Sequence, residues 1–206
     1  TGSGTGTLTL AGTQAAIDTF LNTTTAINYT TLLNDTGAQT ITLTANDGTA
    51  NSTSAVINTT VNAVNDAPIN TVPGAQTVDE DTSLTVAGLS VADTEAATVQ
   101  VTLSVDQGGM IALNGTTGLT IDAGADGSST VTFTGTVAAV NTAINDLVYR
   151  GASNFNGAET LTILTSDLGA TGSGGTLTDS DTVAITVAAV NDAPVNTVPG
   201  AQTVDE

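Results

Sequence analysis

The chain has 206 residues, a formal net charge of −19, and neither His nor Cys, with Arg150 its single cation against 20 carboxylates. Without imidazole, thiolate or Lys amine, the usual general bases, covalent nucleophiles and Schiff-base chemistry are absent, so an enzyme is not expected. So acidic a chain repels phosphate backbones and anionic headgroups, which argues against nucleic acid as a partner and against direct membrane insertion.

In chain order, the first motif is the glycine alternation at Gly2, Gly4 and Gly6. It runs into an alternating TLTL stretch instead of opening a helix, so a phosphate-binding loop is discarded. Ile17 and Leu21 then follow Thr13 at helical spacing, which predicts a short helical turn capped by Thr13. The segment GAQTITLTAND at 37–47 alternates as a half-buried strand does.

Residues 65–80 read NDAPINTVPGAQTVDE, and residues 191–206 repeat them with the single change of Ile69 to Val195. That distance suits an autonomous domain and exceeds a solenoid unit. Weaker similarity pairs 9–22 with 132–145 and 37–47 with 157–167, and sets Tyr29 on Tyr149. The organisation expected is therefore the C-terminal part of one repeat (1–64), a complete repeat (65–190) and the start of a third (191–206), cut from a longer parent.

Within the complete repeat, strands are predicted at 83–87, 99–105, 110–113, 119–121, 130–134, 147–150, 160–165 and 182–187. The 44 threonines favour this pleated, half-exposed structure. Gly, Asn and Asp punctuate the strands. Between them, Val137, Val140, Ile144 and Leu147 follow Thr136 at helical spacing and predict one short helical turn per repeat. Short strands at this density argue for an all-β sandwich. Phe20, Tyr29, Phe133, Tyr149 and Phe155 are read as core or sheet-face packing, Arg150 as an ion-pair partner, and Asp79 and Asp81 as solvent-facing.

The NDAP steps at 65–68 and 191–194, with the Thr-rich stretches before them, resemble the ends of cadherin repeats. Ala45, Asp47 and Gly48 precede a Thr-rich stretch that ends in NDAP at 65–68, and Ser166, Asp167 and Gly169 stand in the same relation to NDAP at 191–194. Glu80 lies twelve residues after Pro68, and Asp93-Thr94-Glu95 stands where the family carries an Asp-x-Asp pair. The chain looks like the cadherin-like repeats of giant bacterial extracellular adhesins of the RTX or Bap type. The resemblance implies tandem Greek-key β-sandwiches, immunoglobulin-like in architecture, with calcium held where successive repeats meet.

Carried over residue by residue, Asn65 and Asp66 would supply linker oxygens, Asp47 would come from the repeat before, and Asp93 and Glu95 from the repeat after. Glu80, Glu159 and Asp167 would form the lower site of the complete repeat with Asn191 and Asp192. The family's linker Asp two places before the Asn is Ala63 here, and Ala189 in the next copy, so fewer ions per junction are expected.

The resemblance implies a calcium-rigidified spacer, secreted or displayed at the cell surface, that projects a distal binding module for attachment. Its partners would be neighbouring repeats of the same chain. The alternative is a subunit of an extracellular filament or sheath with lateral contacts to other copies, including completion of the partial first repeat by strands from another copy. A carboxylate-pair glycosidase is the one surviving chemistry, but the chain has no Trp and two Tyr with which to line a sugar cleft. An ice- or glycan-binding face is disfavoured because the threonines alternate with apolar residues as ordinary strands require.

Overall fold

In a computed structural model of the chain, residues 6–24, 27–169 and 171–206 are described; Gly2 and Gly4 lie outside them. The chain divides into two compact units, Thr1–Val61 and Asn62–Glu206. Each is taken by itself.

The first unit contains helix α1 (Gln14–Leu21) and strands β1 (Gly37–Leu43) and β2 (Ala55–Val61). Thr13 caps α1 as expected, its hydroxyl accepting from the amide of Ala16 at 3.3 Å. The two strands form an antiparallel hairpin from Gly37 opposite Val61 to Leu43 opposite Ala55. No described residue of this unit is buried. Phe20 and Tyr29, expected in a core, are 37% and 49% exposed. Among the described residues of this unit, α1 and the β1–β2 hairpin do not cover them.

The second unit is an all-β sandwich. Its strands are β3 (Ile69–Thr71), β4 (Gln76–Asp79), β5 (Ser83–Val86), β6 (Ser90–Ala92), β7 (Thr98–Val105), β8 (Met110–Ala112), β9 (Leu119–Gly124), β10 (Thr130–Thr136), β11 (Leu147–Arg150), β12 (Gly157–Ser166) and β13 (Thr178–Ala188), with helix α2 (Val137–Ile144) after β10. A six-stranded sheet runs β4-β13-β12-β7-β10-β9, and β5-β11-β8 and β3-β6 form smaller sheets. All neighbours are antiparallel except β4, which lies parallel to β13.

The period-2 pattern of the sequence becomes the two faces of these strands. On β7, Val99, Val101, Leu103 and Val105 are buried and alternate with half-exposed Thr98, Gln100, Thr102 and Ser104. They meet Phe133 of β10, Leu161 and Ile163 of β12, and Val183, Ile185 and Val187 of β13, while Val86, Ile111, Leu147 and Tyr149 close the core from the smaller sheet. Helix α2 adds Val140, Ala143 and Ile144, with Thr136 as its N-cap accepting from Ala139. Leu147 does not continue the helix; the chain turns at Asp146 (φ 58°) and Leu147 opens β11.

Strands β3, β4 and β6 were not among those predicted. They are three or four residues long and are held by partners distant in sequence, so no local alternation announces them. Among the described residues no helix is long and apolar enough to cross a membrane.

Candidate metal centre

The site residues of the second unit fall at opposite ends of β12. Glu159 is the third residue of that strand and Asp167 follows its last. At about 3.3 Å per residue they stand about 26 Å apart. The grouping of Asp167 with Glu80, Glu159, Asn191 and Asp192 is therefore overturned: an extended strand carries it to the other end, beside Asn65.

At that end the glycine-rich loop between β12 and β13 wraps the start of the linker. Asn65 donates its backbone N–H to Ser173 at 2.9 Å, and Ser173 donates back to Ala63 at 3.0 Å. Gly172 has φ +85°, and a Cβ there would lie 2.7 Å from the Asn65 nitrogen, so only glycine lets the loop close this tightly. The Asn65 side chain, 6% exposed, donates through Nδ2 to the Asp167 carboxylate and to the Gly175 carbonyl. Asp167 also accepts from the amides of Gly169 and Leu177. Burial pushes its pKa up, but these donors together outweigh that and hold the carboxyl below its ordinary value.

The chain of contacts continues through the linker. Asp66 donates its N–H to Glu95 Oε2 at 3.3 Å, and Asp93 Oδ1 accepts from the amides of Glu95 and Ala96 at 2.9 and 2.6 Å. Asn65, Asp66, Asp93, Glu95 and Asp167 are thus one connected cluster. Two of its oxygens, Asn65 Oδ1 and Asp93 Oδ2, are buried with no hydrogen-bond partner. A buried acceptor without a donor is costly. Oxygen acceptors of this kind are the ligand type that a hard cation takes. Among the described residues no three acidic side chains already stand close enough together to hold an ion.

At the opposite end Glu80, 6% exposed, accepts from Val190 N–H at 2.6 Å and from Asn156 Nδ2 at 3.3 Å. Asp81, read as solvent-facing, takes part here: its Oδ1 accepts from the Asn154 amide at 3.1 Å. With its side-chain nitrogen turned to the carboxylates, Asn154 bridges Asp192 at 2.9 Å and Asp81 at 3.3 Å. Asn154 and Asn156 were missed in the sequence, where isolated amides in an Asn-rich chain carry no signal. Asn191 is exposed and donates to the carbonyl of Asp192. Arg150, expected in an ion pair, donates to the Asp81 carbonyl at 3.4 Å.

Glu159 has a different employment. It is 2% exposed, and its Oε1 accepts from the amides of Asp106 and Gln107, its Oε2 from the Tyr149 hydroxyl at 3.1 Å. Thr160 N–H is shared between Asp106 Oδ1 (2.9 Å) and Glu159 Oε1 (3.2 Å), which brings the two carboxyls together. Burial, then the neighbouring Asp106, raises the Glu159 pKa, whereas its hydrogen bonding with Glu159 lowers that of Asp106. Burial and the same carboxylate push the Tyr149 hydroxyl up.

In the first unit, Asp47 stabilises its own loop, with Oδ1 accepting from Thr49 N, Thr49 Oγ1 and Ala50 N at 2.7–2.9 Å. The Thr49 hydroxyl and these amides lower its pKa to about 2. Asp47 is the counterpart of Asp167, which sits at the Asn65 end of its repeat and not at the Asn191 end. No protein-family model matches the chain, and no curated protein matches it.

Proposed function

We propose that the chain belongs to the calcium-stiffened spacer of a large bacterial extracellular adhesin, built of cadherin-like repeats that hold a distal binding module away from the cell. The observation that carries this reading is the pair of partnerless buried oxygens, Asn65 Oδ1 and Asp93 Oδ2, in a cluster that joins the linker to the body of the repeat. Asn65, Asp66, Asp93, Glu95 and Asp167 would hold the ion at this end. Calcium supplies charge neutralisation and coordination by six to eight oxygens at about 2.3–2.6 Å when bound.

The residues themselves set the stiffness. Asn65 is tied to the β12–β13 loop by backbone and side chain, and Asp66 to Glu95, so residues 65 and 66 are held against the sandwich that follows them. Pro68 restricts the backbone two residues later. At the other end Glu80 binds Val190 N–H, which fixes where the next linker departs. A short connection between domains is otherwise a hinge, and function here lies in reach and rigidity.

Small-angle scattering of a protein with several consecutive repeats tests the reading. A rigid, extended particle is expected in calcium and a more compact, flexible average with chelator. A scattering curve indifferent to chelator sinks the stiffening mechanism while leaving the sandwich intact.

A further inference from the structure

The sequence contains two Asn-Gly steps, Asn114-Gly115 and Asn156-Gly157. Glycine after asparagine lets the backbone fold back on the preceding side chain, because it has no Cβ to block the approach. The structure treats the two steps differently. Gly157 opens β12 and is held in the ladder opposite Val187, and Asn156 Nδ2 donates to Glu80 Oε2 at 3.3 Å. The side chain and the backbone that would have to meet are both engaged there.

Asn114 lies between β8 and β9, is exposed, and lines an open groove with Ser90, Thr142 and Asn145. Among the described residues neither its side-chain amide nor the Gly115 N–H has a hydrogen-bond partner. Gly115 has φ +92°, and no atom lies within 4 Å of the place a Cβ would occupy, so the turn has room to close. The Asn114 N–H, by contrast, is fixed. It donates at 2.8 Å to the carbonyl of Ala143, one of the last in α2 and so without a partner inside the helix.

We propose that Asn114 is a site of spontaneous backbone modification. The Gly115 nitrogen attacks Asn114 Cγ, the new N–Cγ bond closes a succinimide ring, and the Cγ–Nδ2 bond breaks. Nδ2 leaves as ammonia, taking the proton that the Gly115 nitrogen gives up. Solvent water then opens the ring at either carbonyl, leaving aspartate or isoaspartate at 114. The product adds a negative charge to a chain already at −19, beside the C-terminal carbonyls of α2, where the helix dipole disfavours it. Asn156 must first open locally and so reacts slowly. Asn114 is no part of either carboxylate cluster and the reaction needs no calcium, so its failure would leave the spacer reading untouched.

The test is peptide mapping by mass spectrometry of the full chain aged at mildly alkaline pH, with fragmentation that separates aspartate from isoaspartate. In the folded chain, conversion at Asn114 is expected to run about tenfold faster than at Asn156, or more. In denaturant the rates should converge, since unfolding removes the opening step. Both acids, isoaspartate included, should appear at 114. Asn114→Gln, whose longer side chain would have to close a less favourable ring, should lose the modification there and leave conversion at 156 as it was. A folded chain that stays amidated at 114 while the denatured chain converts overturns the proposal. So do equal rates at the two steps in the folded state, and so does aspartate at 114 without isoaspartate.

Discussion

The side chain of Asn141, on α2, makes to Val91 the two hydrogen bonds that a neighbouring strand would make. Its Oδ1 accepts from Val91 N–H at 2.7 Å and its Nδ2 donates to the Val91 carbonyl at 2.9 Å. Val91 is the middle residue of β6 and 3% exposed, so its backbone groups have no water to turn to. Asn141→Ala should cost about 2–4 kcal/mol, two net hydrogen bonds plus the desolvation left uncompensated. Asn141→Asp, which places a carboxylate oxygen against the Val91 carbonyl, should be at least as damaging. Urea unfolding of both variants checks this; a loss under about 0.5 kcal/mol in Asn141→Ala would refute it.

Calcium dependence should reside in Asp93. Asp93→Asn keeps an oxygen for the amides of Glu95 and Ala96 but removes the partnerless Oδ2 as an anionic ligand. Without calcium its stability should match the unaltered chain to within about 1 kcal/mol. At calcium a hundredfold above the dissociation constant the unaltered chain should gain about 2.7 kcal/mol and Asp93→Asn far less. Calorimetric melts with and without chelator measure the difference; an equal gain in both proteins places the ion elsewhere.

The carboxyl pair of Glu159 and Asp106 gives a signed pH dependence. Glu159 has a folded pKa above its ordinary 4.5, so the folded state keeps a proton that the unfolded state has released. Its contribution to stability is therefore full at low pH and is lost as pH rises from about 4.5 through the raised value. Asp106 has the opposite sign, contributing above 3.8 and losing its contribution as pH falls below it. Glu159→Gln retains an oxygen for the amides of Asp106 and Gln107 and should remove the decline above about pH 4.5. Denaturant titrations between about pH 4 and 8 would show the two stability curves converging at the acid end and separating above it. Parallel curves would mean that Glu159 does not titrate differently on folding.

Packing around that pair requires a glycine. A Cβ on Gly109 would sit 2.7 Å from Tyr149 Cε2, 2.9 Å from the Arg150 carbonyl and 3.2 Å from Glu159 Oε2. The first two contacts are shorter than real Cβ atoms tolerate, and Tyr149 is fully buried and has nowhere to move. Gly109→Ala should cost about 1–3 kcal/mol and loosen the Tyr149–Glu159 hydrogen bond, visible as a lower denaturation midpoint and a shifted tyrosine absorbance. An unchanged midpoint would show that the β7–β8 turn relaxes at no cost.

Much of the fold is legible in the sequence because its determinants are local. Strand β11 was bounded to the residue by its alternation, and both helices were found from a threonine cap ahead of apolar residues at helical spacing. The candidate site was legible only as a set of residue types. Asn65, Asp66, Asp93 and Glu95 do come together, but Asp167 was assigned to the wrong end because sequence order says nothing of which way a ten-residue strand has carried the chain. Glu159, whose acidity suggested a ligand, has both oxygens engaged by Asp106, Gln107 and Tyr149, a fact of three segments meeting.

By itself, then, the sequence determined the repeat, the sandwich class and the acidic character of the chain, since each is written in composition and short-range periodicity. The tertiary structure alone decided which carboxylates share an end and which are spent on the core. Those outcomes depend on pairings between segments up to 110 residues apart, as between Asn65 and Gly175, and a pairing is fixed by the packing of the whole sandwich, where no local rule reaches.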